Sequence, residues 1–345
     1  MAANVCDYFS KKKTTVTFVL SLFVFFIHFC AFSAFSDTGV LLQSTFDWLL
    51  AMTHVAVPLF FVISAVMFYR NYTLASTLRK WKNRVFSLCV PYCFWNTVWL
   101  LLAFIGYYTP LGAFTGGVKA AFSLEAVLRG ILLHEYFLPF WFMLQLIVLT
   151  ALCPIIYLLL KNKWIGIVTI VAVYVFYCLS VRLNAAVSDY IGMSVFYLLG
   201  AWVGIHHYSL FESRKSKKNA AFGALAYVLC CVYFGINSVF PQWFPTEQIN
   251  LIVKVVSCAG FWVFFDCFEM RHCPKFMQES FLIYAMHSLV GAVLTKVFYM
   301  ILPPAPFRLA LVAVLAFPLT IVIICTSAMF MGKYMPRVKR ILAGK

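Results

Sequence analysis

His28, His54 and His287 fall inside long apolar runs, and imidazole is the side chain that takes up and releases a proton near neutral pH. An ionisable group in lipid costs several kcal/mol unless it faces a cavity or a partner, so each is a candidate functional group. The chemistry open to it is removal of a hydroxyl proton or brief carriage of an acyl group. The plain alternative is an interhelical hydrogen bond worth about 1 kcal/mol. His28 lies about 14 residues into its run, roughly 21 Å from the inner edge at about 1.5 Å per residue. His287 lies in the inner half of its own run, beside Tyr284. The two histidines are therefore expected to differ in depth by roughly 10 Å and not to touch. Lys296 stands near enough to the outer end of the His287 run to snorkel to water. His134 and Glu135 read as a solvated outer loop ahead of the aromatic run 137–142.

A second candidate is the basic stretch holding Arg70, Arg79, Lys80, Lys82 and Arg84 between two apolar runs. Arginine forks and lysine point charges both suit phosphate, so this stretch can dock a phosphorylated cytosolic donor. The alternative is a loop that meets lipid headgroups. No metal site is expected: the twelve cysteines include no C-x-x-C pair and no Cys/His spacing suited to zinc. Cysteines within apolar runs read as small fillers of helix interfaces. There is no Walker loop, dinucleotide fingerprint or internal repeat.

The elements that must position these residues are membrane spans. Hydrophobic residues make up 64% of the chain and charged ones only 11%, and the mean hydropathy is +0.92. A soluble domain is about a quarter charged. The expected fold is an all-α integral membrane protein of about ten transmembrane helices, near 14–35, 46–69, 86–108, 138–160, 164–182, 191–206, 220–240, 250–268, 280–301 and 307–331. These form one polytopic domain over 1–345, with no room for a separate soluble one. The first run is read as an uncleaved helix, because it outlasts the 7–15 residues of a signal peptide's apolar region.

The net charge of +16 comes from cations that cluster by position. Of the 27 Lys and Arg, 21 lie at the N-terminus, in the 70–85, 161–163, 207–219 and 269–279 loops, and in the C-terminal tail. Those segments alternate along the chain, which is the positive-inside pattern. It places both termini in the cytosol and makes anionic lipid, not nucleic acid, the partner of the excess charge.

Several segments recur in a telling order: Phe26-Ile27-His28; Val57-Pro58-Leu59-Phe60-Phe61-Val62-Ile63-Ser64-Ala65; the basic loop leading into Val90-Pro91-Tyr92; Phe140-Trp141-Phe142-Met143; Phe196-Tyr197-Leu198-Leu199-Gly200; and Ser280-Phe281-Leu282-Ile283-Tyr284-Ala285-Met286-His287. In this order and spacing the chain resembles the membrane acyltransferase-3 family, bacterial inner-membrane enzymes that O-acylate cell-surface glycans. The resemblance implies an acyl-CoA donor, usually acetyl-CoA, entering from the cytosol as a co-substrate, with no tightly bound cofactor. It implies an acceptor hydroxyl on a glycan or lipid-linked saccharide. His28 matches the family's span-1 histidine, taken as catalytic base or acyl relay. Arg84, with Arg79, Lys80 and Lys82, would hold the donor phosphates, and Tyr284 and His287 would line the donor's path. The member is divergent: Thr17 stands eleven residues before His28 where Arg is common, Ser87 follows Arg84 where a second Arg is common, and Ala65 replaces a Gly. The rival readings are a transporter of a saccharide or small polar solute and a catalytically inactive family member.

Overall fold

In a bilayer no water is at hand to satisfy the backbone, so each span must close its own hydrogen bonds, and helix is the simplest way to do so. The computed structural model describes residues 2–29, 40–110, 118–181, 185–240, 247–270, 272–303 and 308–344, with side chains from residue 7 in the first helix, from 47 in the second and from 187 in the helix that begins at 185. Helix is the regular structure throughout them. In chain order the α-helices are α1 (Ala2–His28), α2 (Val40–Thr53), α3 (Ala56–Tyr69), α4 (Thr77–Arg84), α5 (Val90–Tyr108), α6 (Leu124–Leu132), α7 (Trp141–Ala151), α8 (Cys153–Leu160), α9 (Lys163–Ser180), α10 (Ala185–His206), α11 (Tyr208–Glu212), α12 (Lys217–Val239), α13 (Glu247–Phe264), α14 (Ser280–Ile301), α15 (Arg308–Tyr334) and α16 (Pro336–Ala343).

Eight helical stretches among the described residues are long and apolar enough to cross a membrane, and up to nine if Leu138–Ala151 and Cys153–Leu160 form one bent span. The protein is thus an all-α, multi-pass membrane protein. The expected span at 138–160 is broken by 66°. Pro154 explains the break: it sits in the first turn of α8, where its missing N–H and its ring end the preceding helix. The expected span at 14–35 is represented by α1, which is not among the eight, because Lys11, Lys12 and Lys13 lie within it. Residues 30–35 of that span lie outside those described. The span expected at 86–108 is the apolar end of a 35-residue stretch, Leu74–Tyr108, in which α4 passes through a π-helical turn, Val85–Cys89, into α5.

The chain divides into two compact units, Met1–Phe23 with Asp47–Trp81 and Val148–Pro274, and Val24–Phe46 with Lys82–Ile147 and Lys275–Lys345. In the first, α3 packs on α10 because Gly200 and Gly204, one turn apart, let the backbones meet. A Cβ on Gly200 would lie 2.5 Å from the Val62 carbonyl oxygen, and one on Gly204 would lie 2.8 Å from that of Val66. At the start of this unit Lys12 is 1% exposed, with its Nζ 2.7 Å from Asp266 Oδ1. Tyr8 donates to the same oxygen at 2.7 Å, and the Lys215 N–H donates to Oδ2 at 3.2 Å. Burial pushes the Lys12 ammonium below its ordinary value, against the pull of Asp266.

In the second unit α14 packs along α15, around a core of Phe25, Phe29, Ala313 and Ala316. Phe25 stacks on Phe317 with centroids 4.4 Å apart, which fixes the end of α1 beside both helices. The charge pattern sets the expected orientation. Lys218 and Ala121 are both exposed, and single cysteines there, in a background cleared of native thiols, are expected to label from opposite sides with an impermeant reagent. Labelling of Lys218→Cys from outside intact cells would reverse the topology.

Candidate active site

The site is built on α14 of the second unit. Tyr284 and His287 lie one turn apart and so share a face. His287 is 0% exposed. Its Nδ1 lies 2.7 Å from the Tyr284 carbonyl oxygen and 3.1 Å from that of Ile283. Carbonyl oxygens can only accept, so Nδ1 carries a proton. In the neutral ring this leaves the lone pair on Nε2. That atom is buried and has no hydrogen-bond partner among the described residues.

The His28 ring, at the end of α1, lies 5.8 Å from the His287 ring between centroids, inclined by 31°. This corrects the expected separation of roughly 10 Å. Counting residues gives depth only from each helix's own end and carries no information on how two helices are offset. Phe25 and Phe137 complete the wall around His287 at 5.5 and 6.4 Å. Two imidazoles at this separation are close enough to act on one reacting group.

Aromatic packing fixes the frame. Tyr284 stacks on Phe140 at 5.5 Å, and its hydroxyl donates to the Pro139 carbonyl. Phe140 in turn stacks on Tyr92 at 5.9 Å, whose hydroxyl donates to the Leu132 carbonyl at 2.8 Å. Trp99 stacks on Phe137 at 4.7 Å and 6°. The Val-Pro-Tyr segment of α5 and the aromatic run 137–142 thus act together on α14, a pairing that no sequence spacing announces. His134, expected in a solvated loop, is half-buried with a left-handed backbone of φ 50°. Its Nδ1 has no hydrogen-bond partner among the described residues, and burial pushes its imidazole below the ordinary value.

Of the basic stretch, Arg79, Lys80, Lys82 and Arg84 sit on α4 and differ in exposure, while Arg70 caps the end of α3. Arg79 and Lys82, three apart, are exposed. Lys80 turns inward: its ammonium donates to the Phe68 carbonyl and, at 3.3 Å, to that of Arg70. Arg84 is half-buried and is the last residue before the π-helical turn. His54, in the first unit, lies against the Phe234 ring at 4.3 Å, inclined by 34°. Among the described residues no three His, Cys, Asp or Glu side chains are grouped to hold a metal ion.

A family model described as an acyltransferase domain matches residues 18–328. No curated protein and no solved structure gives a match. The matched stretch includes His28, α4, the aromatic run and α14, so the histidine pair lies within it. By that match over most of its length the chain belongs to the acyltransferase-3 family and is a multi-pass membrane acyltransferase.

Proposed function

We propose that the protein moves an acetyl group from acetyl-CoA, arriving from the cytosol, to a hydroxyl of a glycan or lipid-linked saccharide at a bacterial inner membrane. The observation that carries this reading is the imidazole pair, His287 fully buried with Nε2 without a hydrogen-bond partner among the described residues and the His28 ring 5.8 Å away between centroids. In this reading His28 takes the acceptor hydroxyl's proton as the oxygen attacks the thioester carbonyl. His287 accepts or returns that proton, and the coenzyme leaves as the thiol once protonated. Neither imidazole needs a metal for this. Tyr284 holds the wall on the donor's path through its bond to Pro139.

Arg84 and Lys82 meet the donor's phosphates, with Arg79 on the same helix. The inward bonds of Lys80 favour a supporting role for it, fastening α4 to the carbonyls of Phe68 and Arg70. Arg84→Ala is expected to weaken coenzyme A binding by roughly 1.5–3 kcal/mol, the usual value of a charge-assisted hydrogen bond. That is about 10- to 150-fold in Kd. Arg70→Ala is expected to change it little, because the Arg70 guanidinium lies over the Tyr208 ring at 4.3 Å. Calorimetry in detergent decides, and equal binding by both variants would remove Arg84 from the donor site. The reading as a whole is tested by incubating purified protein with acetyl-labelled acetyl-CoA and a saccharide extract from its membrane. Label is expected to leave the coenzyme and appear on saccharide; label that stays on the coenzyme with every acceptor fraction would overturn it.

A further inference from the structure

The C-terminal helix α16 lies beyond the stretch that the acyltransferase model matches. An isolated helix of its length is not stable in water, so its order must come from what it packs on. Three contacts within the second unit supply that order. The Trp95 indole N–H donates to the Leu342 carbonyl at 3.0 Å. The Lys339 ammonium lies 2.6 Å from Glu279 Oε1, on a carboxylate only 5% exposed. Gly344 closes the helix with φ 64°, its N–H bonded to the Arg340 carbonyl, and it meets the chain at Ser87. A Cβ on Gly344 would lie 2.4 Å from the Ser87 carbonyl oxygen and 2.8 Å from Pro91 Cγ, so glycine is required both for the backbone angle and for the approach.

These contacts reach two places that matter for the reaction. Ser87 lies inside the π-helical turn Val85–Cys89, directly after Arg84. A π turn is a rare, locally loosened stretch of helix, and it keeps its shape through what surrounds it. Glu279 is the residue before α14, the helix that carries Tyr284 and His287. One short helix therefore bears on the turn that aims Arg84 and is anchored at the root of the helix that carries His287.

We propose that α16 is a latch, with Trp95, Lys339 and Gly344 as positioning residues that hold the turn after Arg84 in its donor-binding form. This rests on the reading of Arg84 as a phosphate-binding residue. Two measurements on the full-length protein in detergent separate the two ideas. The first is hydrogen exchange over residues 85–95. Lys339→Glu, which sets two carboxylates against each other, and Gly344→Val are each expected to speed exchange there several-fold. The swapped pair Lys339→Glu with Glu279→Lys is expected to restore it. The second is coenzyme A binding by calorimetry with steady-state kinetics: both single variants are expected to raise Kd and the acetyl-CoA KM about tenfold. Their kcat should change much less, and the swapped pair should return near the parent. Melting temperatures report whether the variants fold. Exchange over 85–95 that ignores both single variants overturns the latch, as does faster exchange without weaker binding in a protein whose parent binds coenzyme A. A parent that does not bind coenzyme A overturns the donor reading and with it the role given to the latch, whereas the exchange result alone still reports whether α16 holds the turn.

Discussion

His28→Gln and His287→Asn are each expected to lower acyl transfer by about 10²–10⁴, the usual contribution of general acid–base catalysis, while leaving coenzyme A binding intact. The replacements are chosen to spare the structure. Asn at 287 places an amide N–H where Nδ1 now donates to the Tyr284 carbonyl, so the bond at 2.7 Å can survive. Gln at 28 keeps a polar group at the end of α1. Neither amide takes a proton near neutral pH, so the loss falls on chemistry. If the two rings act as one unit, the double variant should lose little more than either single one, since removing half of a relay disables the whole of it. His54→Gln is the matched control, a half-buried histidine whose ring lies 4.3 Å from that of Phe234 in the other unit. Turnover rates in detergent, normalised to folded protein, check this. Near-parental turnover in His28→Gln, with loss in His54→Gln, would move the centre to a different histidine. A double variant that loses the product of the two single losses would mean that the rings act independently.

The sequence reading succeeded where lipid imposes a rule on every residue of an element and failed where function depends on which elements meet. An apolar run of about 20 residues must be a span whatever its neighbours are, so Asp47–Tyr69, Lys217–Val239 and Arg308–Tyr334 were visible at once. The break at Leu152 carried a readable sign in Pro154 that a hydropathy count smooths over. The pairing of His28 with His287 carried none. Each residue was individually conspicuous, but a meeting across 259 positions depends on helix offset and on the Phe25–Phe317 stack. The tie between α16 and Ser87 was equally hidden, because it joins positions more than 250 residues apart through a backbone angle. Its left-handed cap and its distance to Ser87 exist only once α5 is packed. The missing Arg at position 17 is a related case. Thr17 bonds back to the Thr14 carbonyl at 3.0 Å within its own helix, and the buried cation of α1 is Lys12. Its partner is Asp266, 254 positions away, and no sequence spacing announces the pair.

Lys12→Met is expected to destabilise the protein by about 3–5 kcal/mol, the usual cost of stranding one member of a buried ion pair. Both side chains are 1% exposed, so after the substitution neither water nor salt can screen the carboxylate. Tyr8 and the Lys215 N–H still donate to Asp266, at 2.7 and 3.2 Å. Those hydrogen bonds satisfy its lone pairs, and the Arg214 and Lys215 cations nearby offset part of its charge, which places the loss toward the lower end of that range. The reverse change separates charge from packing. In Lys12→Met with Asp266→Leu no buried charge remains, and exchange of a buried pair for apolar side chains of similar volume is often neutral or stabilising. The double variant should therefore recover most of the loss, less the cost of leaving the Tyr8 hydroxyl without its acceptor. Replacing Lys11 instead should matter little, because its pair with Asp7 is a surface one, with the carboxylate 62% exposed. Denaturant unfolding in a fixed detergent, followed by tryptophan fluorescence, gives the comparison. Trp262 serves as a local reporter, since the Lys12 ammonium lies 4.4 Å from its ring. A Lys12→Met midpoint equal to the parent's would mean that the pair contributes nothing to stability. A double variant as weak as the single one would mean that α1 is held by the shape of the Lys12 side chain and not by its charge.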